Sequence, residues 1–144
     1  ACMICTAVPL EATDIVWGDV SAMLNKAIQT SGGKYHIDDI YRHIKEGYYN
    51  LWLIIDEKKD EKVIAAITTR LIEYPNRRAL AMDWVGGKRM SEWLPIALEK
   101  FNSFAKDCGC SHLEGYGRKA WTKVLKNYNW KPEYIAYRME IDNG

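Results

Sequence analysis

Residues 79–91 read Ala79-Leu80-Ala81-Met82-Asp83-Trp84-Val85-Gly86-Gly87-Lys88-Arg89-Met90-Ser91. The run Ala79–Val85 is apolar or aromatic apart from Asp83, and its length suits a buried strand. Gly86-Gly87 ends it and two cations follow. Beyond them Trp93, Leu94, Ala97, Leu98, Phe101, Phe104 and Ala105 recur at helical spacing. Pro95 is read as part of that helix's first turn, where few amides have helical acceptors. Gly109 is read as the left-handed residue that closes it. A short strand at Ser111–Gly115 follows, giving a β–α–β unit. A further helix runs from about Lys119 to Tyr128, with Asn129 suited to a left-handed turn.

Working outward, Leu51-Trp52-Leu53-Ile54-Ile55 and the segment Lys62–Glu73 are β-rich runs separated by the charged turn Asp56–Glu61. With Ala79–Val85 they predict an antiparallel meander, turned at Tyr74-Pro75-Asn76-Arg77. Upstream, Met3–Val8 predicts a first strand ending at Pro9. A helix capped by Thr13 or Asp14 carries Ile15, Val16, Val20, Met23, Leu24, Ala27 and Ile28, and Ser31-Gly32-Gly33 stops it. A second helix spans Ile37–Lys45 and ends at Gly47. His36 and His43 are read as surface or helix-end residues. Downstream, Pro132 closes the last helix and Tyr134–Ile141 predicts a final strand. The order β–α–α–β–β–β–α–β–α–β describes one α/β domain over residues 1–144 with a mixed sheet.

Composition narrows the function. The 144 residues are 48% hydrophobic with net charge +1, which excludes intrinsic disorder. Ten Gly and four Pro exclude collagen-like architecture. No apolar run reaches the roughly 20 residues of a membrane span, and the start lacks a basic, then apolar, leader. A soluble cytoplasmic domain is expected. Residues 1–74 carry eight Lys/Arg against eleven Asp/Glu, and residues 75–144 carry twelve against eight. That tilt favours an anionic ligand on the second half, yet it is no basic stripe for nucleic acid. Cys2/Cys5 and Cys108/Cys110 form two close pairs; the single residue inside the second is short for zinc, so buried free thiols are expected.

The element order resembles the GNAT-type N-acetyltransferase superfamily, the likeness residing in residues 79–141. Gly86-Gly87, Met90, Trp93-Leu94, Ala97-Leu98, Ala105, Gly109-Cys110, Gly117-Arg118, Trp121, Leu125 and Trp130 are similar to a group of bacteriophage and prophage GNAT-like proteins. The resemblance implies a mixed central sheet with helices on both faces and acetyl-CoA as cofactor. It places the diphosphate on backbone amides at a helix start, where unpaired N–H groups and the dipole attract phosphate. The corresponding positions are Trp84, Val85, Gly86, Gly87, Lys88, Arg89, Met90 and Ser91, with Arg118 near a second helix start. The glycines would permit close approach, Lys88 and Arg89 would supply charge, and the Trp84 or Val85 amide an oxyanion donor. In the usual Arg/Gln-x-x-Gly-x-Gly/Ala pattern, Arg89 takes the first place, while Glu92 and Leu94 stand where small residues belong.

Acyl transfer to an amine needs a base for the ammonium and an acid for the departing thiolate. Asp83 is the expected base, with Glu73 and Glu114 in reserve. The family's acidic Tyr falls on Leu125, which donates no proton, so Tyr128 and Tyr116 are the candidate substitutes. The partners implied are a CoA thioester and an amine. The second reading is a GNAT-fold module without catalysis, a phage structural, assembly or host-interaction protein, since fold does not fix function. A second copy in a homodimer or a phage protein is the macromolecular partner expected.

Overall fold

The computed structural model describes residues 2–60 and 62–142. Five strands lie in one sheet in chain order, β1 (Met3–Ala7), β2 (Asn50–Asp56), β3 (Lys62–Glu73), β4 (Arg78–Gly87) and β5 (His112–Gly115). The first four pair antiparallel, and β5 joins β4 in parallel. Helices α1 (Thr13–Ile28) and α2 (Ile37–Lys45) precede the meander, α3 (Met90–Asp107) links β4 to β5, and α4 (Trp121–Leu125) follows.

The unbroken apolar run of β2 follows from burial on both faces. Trp52 and Ile54 join Met3, Cys5, Leu80, Met82, Trp93, Leu94 and Phe101 in the α3-side core. Leu51 and Leu53 join Val20, Leu24, Ile40 and Ile44 in the α1/α2-side core. Beneath the first, the Trp52 indole donates to Thr69 Oγ1 at 2.8 Å, so a buried donor is satisfied.

Several expectations need correction. A 3-10 turn at Leu10–Ala12 leads into α1, so neither Thr13 nor Asp14 is its cap; Thr13 instead bonds the Leu10 carbonyl and Asp14 reaches Tyr41 and Lys45 of α2. His36 caps α2 in a reciprocal pair with Asp39. His43 is a helix-end residue as expected, in the last turn of α2, but half-buried: its ring packs against those of Tyr48 and Tyr49, with Nδ1 buried and unpartnered among the described residues. Pro95 stands in the second turn of α3, because that helix starts at Met90. Helix α4 is shorter than its pattern, giving way to a 3-10 turn at Lys126–Tyr128. Asn129 (φ 67°) and Gly109 (φ 73°) do take the left-handed conformation.

Tyr134–Ile141 forms no strand. Among the described residues no backbone hydrogen bond joins residues 131–141 to a neighbouring segment. An alternating segment becomes a strand only where an edge accepts it, and this one leaves β5 for the α1–α2 loop, where Arg138 donates to Gly32 O at 2.8 Å. The cysteines are free, and Cys2 is exposed while burial pushes the Cys5 thiol up to about 12. Among the described residues no cluster suits a metal, and no helix is long and apolar enough to cross a membrane.

Candidate active site

The parallel pairing of β4 and β5 runs from Ala79↔His112 to Met82↔Gly115, and a last contact joins Tyr116 N–H to Met82 O. Beyond it β4 continues to Gly87 while the other chain turns away, so the two strands fork. At the fork β4 carries a bulge: Met82 opposes Thr69 and Trp84 opposes Thr68, leaving Asp83 without a partner on β3. A surplus residue turns both bulged side chains to one face. Met82 and Val85 accordingly pack toward α3, and Trp84 toward α1 and α2, where its indole donates to Tyr49 O–H at 3.2 Å. The Trp84 amide, expected as an oxyanion donor, is bonded to Thr68 Oγ1 at 3.2 Å.

A polar cluster gathers around Asp83. Arg70 on β3 donates through Nε to Asp83 Oδ2 at 2.6 Å and through a second nitrogen to Oδ1 at 3.4 Å. The same guanidinium lies over the rings of Tyr48 and Tyr116. Burial raises the Asp83 carboxyl above its ordinary value, against the opposing pull of Arg70. On β5, Glu114 accepts from Tyr116 and, at 2.8 Å, from Tyr74, while its other oxygen meets His112 Nε2 at 2.9 Å. Burial pushes Glu114 up, but these three partners together hold it below its usual range. Burial, then the Glu114 carboxylate, raises the Tyr116 phenol.

The following loop is built mainly by contacts within the protein. A Cβ on Gly86 would overlap the Met23 carbonyl of α1, and one on Gly87 (φ 130°) the Ile64 carbonyl and Ala65. The glycines therefore let α1 and β3 approach closely. Arg89, in left-handed backbone, is clamped by Asp56 at 2.7 Å and by both oxygens of Glu92 at 2.7 and 3.0 Å. Its charge is occupied by these two carboxylates. Trp93 is 1% exposed and its indole donates to Lys88 O at 2.8 Å, fixing the loop from beneath. Among the described residues, Lys88 and Arg118 have no carboxylate partner, and the amides of Met90 and Ser91 have no backbone acceptor.

Solved structures share this fold. A possible acetyltransferase from Clostridium difficile is 16% identical, with 99% of this chain and 100% of that one covered at TM-score 0.62. A probable acetyltransferase is 9% identical over 97% and 99% at TM-score 0.71. An aminoglycoside acetyltransferase from an uncultured soil metagenomic sample, solved with sisomicin, is 6% identical over 98% and 97% at 0.67. This chain has the GNAT fold. No family model and no curated protein matches the sequence.

Within the GNAT frame, the fork collects some of the expected residues and not others. Asp83, Glu114 and Tyr116 converge there. Glu73 pairs with Arg78 at the exposed end of β3 and is no partner of Asp83 or Glu114 among the described residues. Tyr128 packs on the α3-side core, as do Trp121 and Trp130. Met90 also packs there, and Ser91 is exposed. Sequence reading passed over Arg70, Tyr48, Tyr74 and His112. The period of two on β5, which sets His112, Glu114 and Tyr116 on one face, was a usable signal for His112.

Proposed function

We propose that the chain is an N-acyltransferase of the GNAT type that moves an acyl group from a CoA thioester, acetyl-CoA first, to an amine. The observation that carries this is the fork: parallel strands that part at Met82/Gly115 with a bulge presenting the buried Asp83 at the opening. The residues fit a diphosphate and pantetheine in part. The amides of Met90 and Ser91, with Lys88 and Arg118, would hold the diphosphate, and the parted strands would take the extended arm. Arg89 adds nothing, being neutralised by Asp56 and Glu92. Bound there, the thioester supplies the acyl carbon.

This chain's own residues supply the rest. Asp83 receives the acceptor ammonium and removes a proton. Its raised proton affinity brings it nearer the working pH of a base. Arg70 fixes the carboxylate's orientation through both oxygens. Tyr116 would supply the proton for the departing thiolate, in place of Leu125. Its proton is directed at Glu114, so donation requires that hydrogen bond to open.

Calorimetric titration with acetyl-CoA and CoA tests the reading, followed by turnover on a panel of polyamines, aryl amines and sisomicin. Lys88→Ala/Arg118→Ala weakens binding at least tenfold, and Asp83→Asn lowers kcat with little change in CoA affinity. No binding at millimolar ligand would remove the enzyme reading. The clamp on Arg89 and the place of Leu125 would then favour a GNAT-fold binding module, the bacteriophage-type reading included.

A further inference from the structure

The basic excess of the second half gathers on one element. Residues 115–132 hold five Lys/Arg and no Asp or Glu. Arg118, Lys119, Lys123, Lys126 and Lys131 are all exposed, and none has a carboxylate partner among the described residues. Lys119, Lys123 and Lys126 recur at helical spacing through the turn into α4, the helix itself and the 3-10 turn that extends it. Half a turn round the same element, Trp121, Val124 and Tyr128 pack against the α3-side core. The three lysines therefore form an outward ridge roughly 10 Å long. That ridge adjoins the fork. A Cβ on Gly117 would overlap the Trp121 ring, and one on Gly115, where β4 and β5 part, would press on Trp130.

We propose, resting on the acyl-transfer reading above, that the preferred acyl donor is a thioester borne on an acidic carrier protein. An acidic helix of the carrier lies along the ridge while its phosphopantetheine arm enters the fork. The phosphate site and the ridge point the same way. Free CoA brings a diphosphate and a ribose phosphate, yet Arg89 is neutralised by Asp56 and Glu92. A carrier-borne arm ends in one phosphodiester, which Lys88 and Arg118 suit, and the rest of the charge belongs to the acidic body. Cations placed along a helix attract such a body and set its register. Nucleic acid and bilayer fit less well, because Trp121 and Tyr128 face inward and offer bases no stacking platform and lipid no apolar wedge. In the transfer, the C–S bond of the arm breaks as the C–N bond to the amine forms. Of the two protons the nitrogen releases, one ends on the thiol and one on Asp83.

Fluorescence anisotropy with a labelled bacterial acyl carrier protein, its arm loaded with an acetyl group, tests this on the full chain. The loaded carrier saturates the protein below about 100 µM. Lys119→Glu/Lys123→Glu/Lys126→Glu weakens that binding by about tenfold or more, and salt at about 0.5 M does likewise. The milder Lys119→Gln/Lys123→Gln/Lys126→Gln falls between. Both variants keep the wild-type circular dichroism and CoA titration, their altered side chains being exposed. Failure of the loaded carrier to bind would overturn the proposal, as would a glutamate variant that binds it as well as the wild type. So would tighter binding of phosphatidylglycerol vesicles or a DNA duplex through the same lysines. CoA binding without carrier binding sinks the carrier alone and leaves acyl transfer standing; loss of both removes both.

Discussion

Arg70 grips Asp83 through two nitrogens, at 2.6 and 3.4 Å, across two strands that are out of step by one residue. Asp83 is 9% exposed and Arg70 23%, so the pair is largely withdrawn from water and each charge depends on the other. Arg70→Met leaves a carboxylate without its counterion. Breaking a buried pair costs about 3 kcal/mol, the low end of its range for a pair still partly wetted. Urea denaturation should show the loss. Arg70→Met/Asp83→Asn should recover part of it, since no buried charge then remains.

Gly86 and Gly18 make a matched test. Gly18 lies in α1 with open space where a Cβ would go, so Gly18→Ala gains about 0.5–1 kcal/mol from helix propensity. Gly86→Ala drives a methyl into the Met23 carbonyl of the same helix and costs roughly 1–3 kcal/mol. Thermal melts of the two variants should move in opposite directions.

Thr69→Val keeps the shape of a fully buried side chain and removes the acceptor of the Trp52 indole. An orphaned buried N–H costs about 1–3 kcal/mol. Chemical denaturation should place this variant below the wild type, and Thr69→Ser above Thr69→Val.

Asp56 supplies a pH test. Its carboxyl is held below the ordinary 3.8, first by the Arg89 hydrogen bond. A depressed carboxylate contributes stability that is present above its unfolded value and is lost as pH falls through the folded one. Asp56→Asn should therefore melt below the wild type at pH 7, and the gap should close as pH drops under about 4. A gap that persists at pH 2 would show that shape, not charge, is at stake.

Much of the frame was legible. Helix α2 and strand β3 have the limits their patterns indicate, because Gly47 and the charged residues from Asp56 to Asp60 punctuate clear periods. The fork was foreseeable as the end of a β–α–β unit. The bulge was not, since its surplus residue is defined against β3 rather than by anything at Asp83 itself. Arg70 escaped notice for a related reason: a lone cation in an apolar strand names no partner, and its partner stands on the next strand. Residues 134–141 show the converse failure. Their alternation declares a preference for pairing, while pairing needs an edge within reach, and here the backbone departs toward Gly32. The clamp on Arg89 was not legible because Asp56, which holds it, is remote in sequence.

The seating of Gly86 against Met23 has a bearing on redesign. The end of β4, and with it the start of residues 88–91, is tied to the main chain of α1. Moving that strand end is accordingly a problem of helix placement, reached through the buried side of α1 at Val20 or Leu24. Randomising the loop alone would alter charge and leave the strand end where it is.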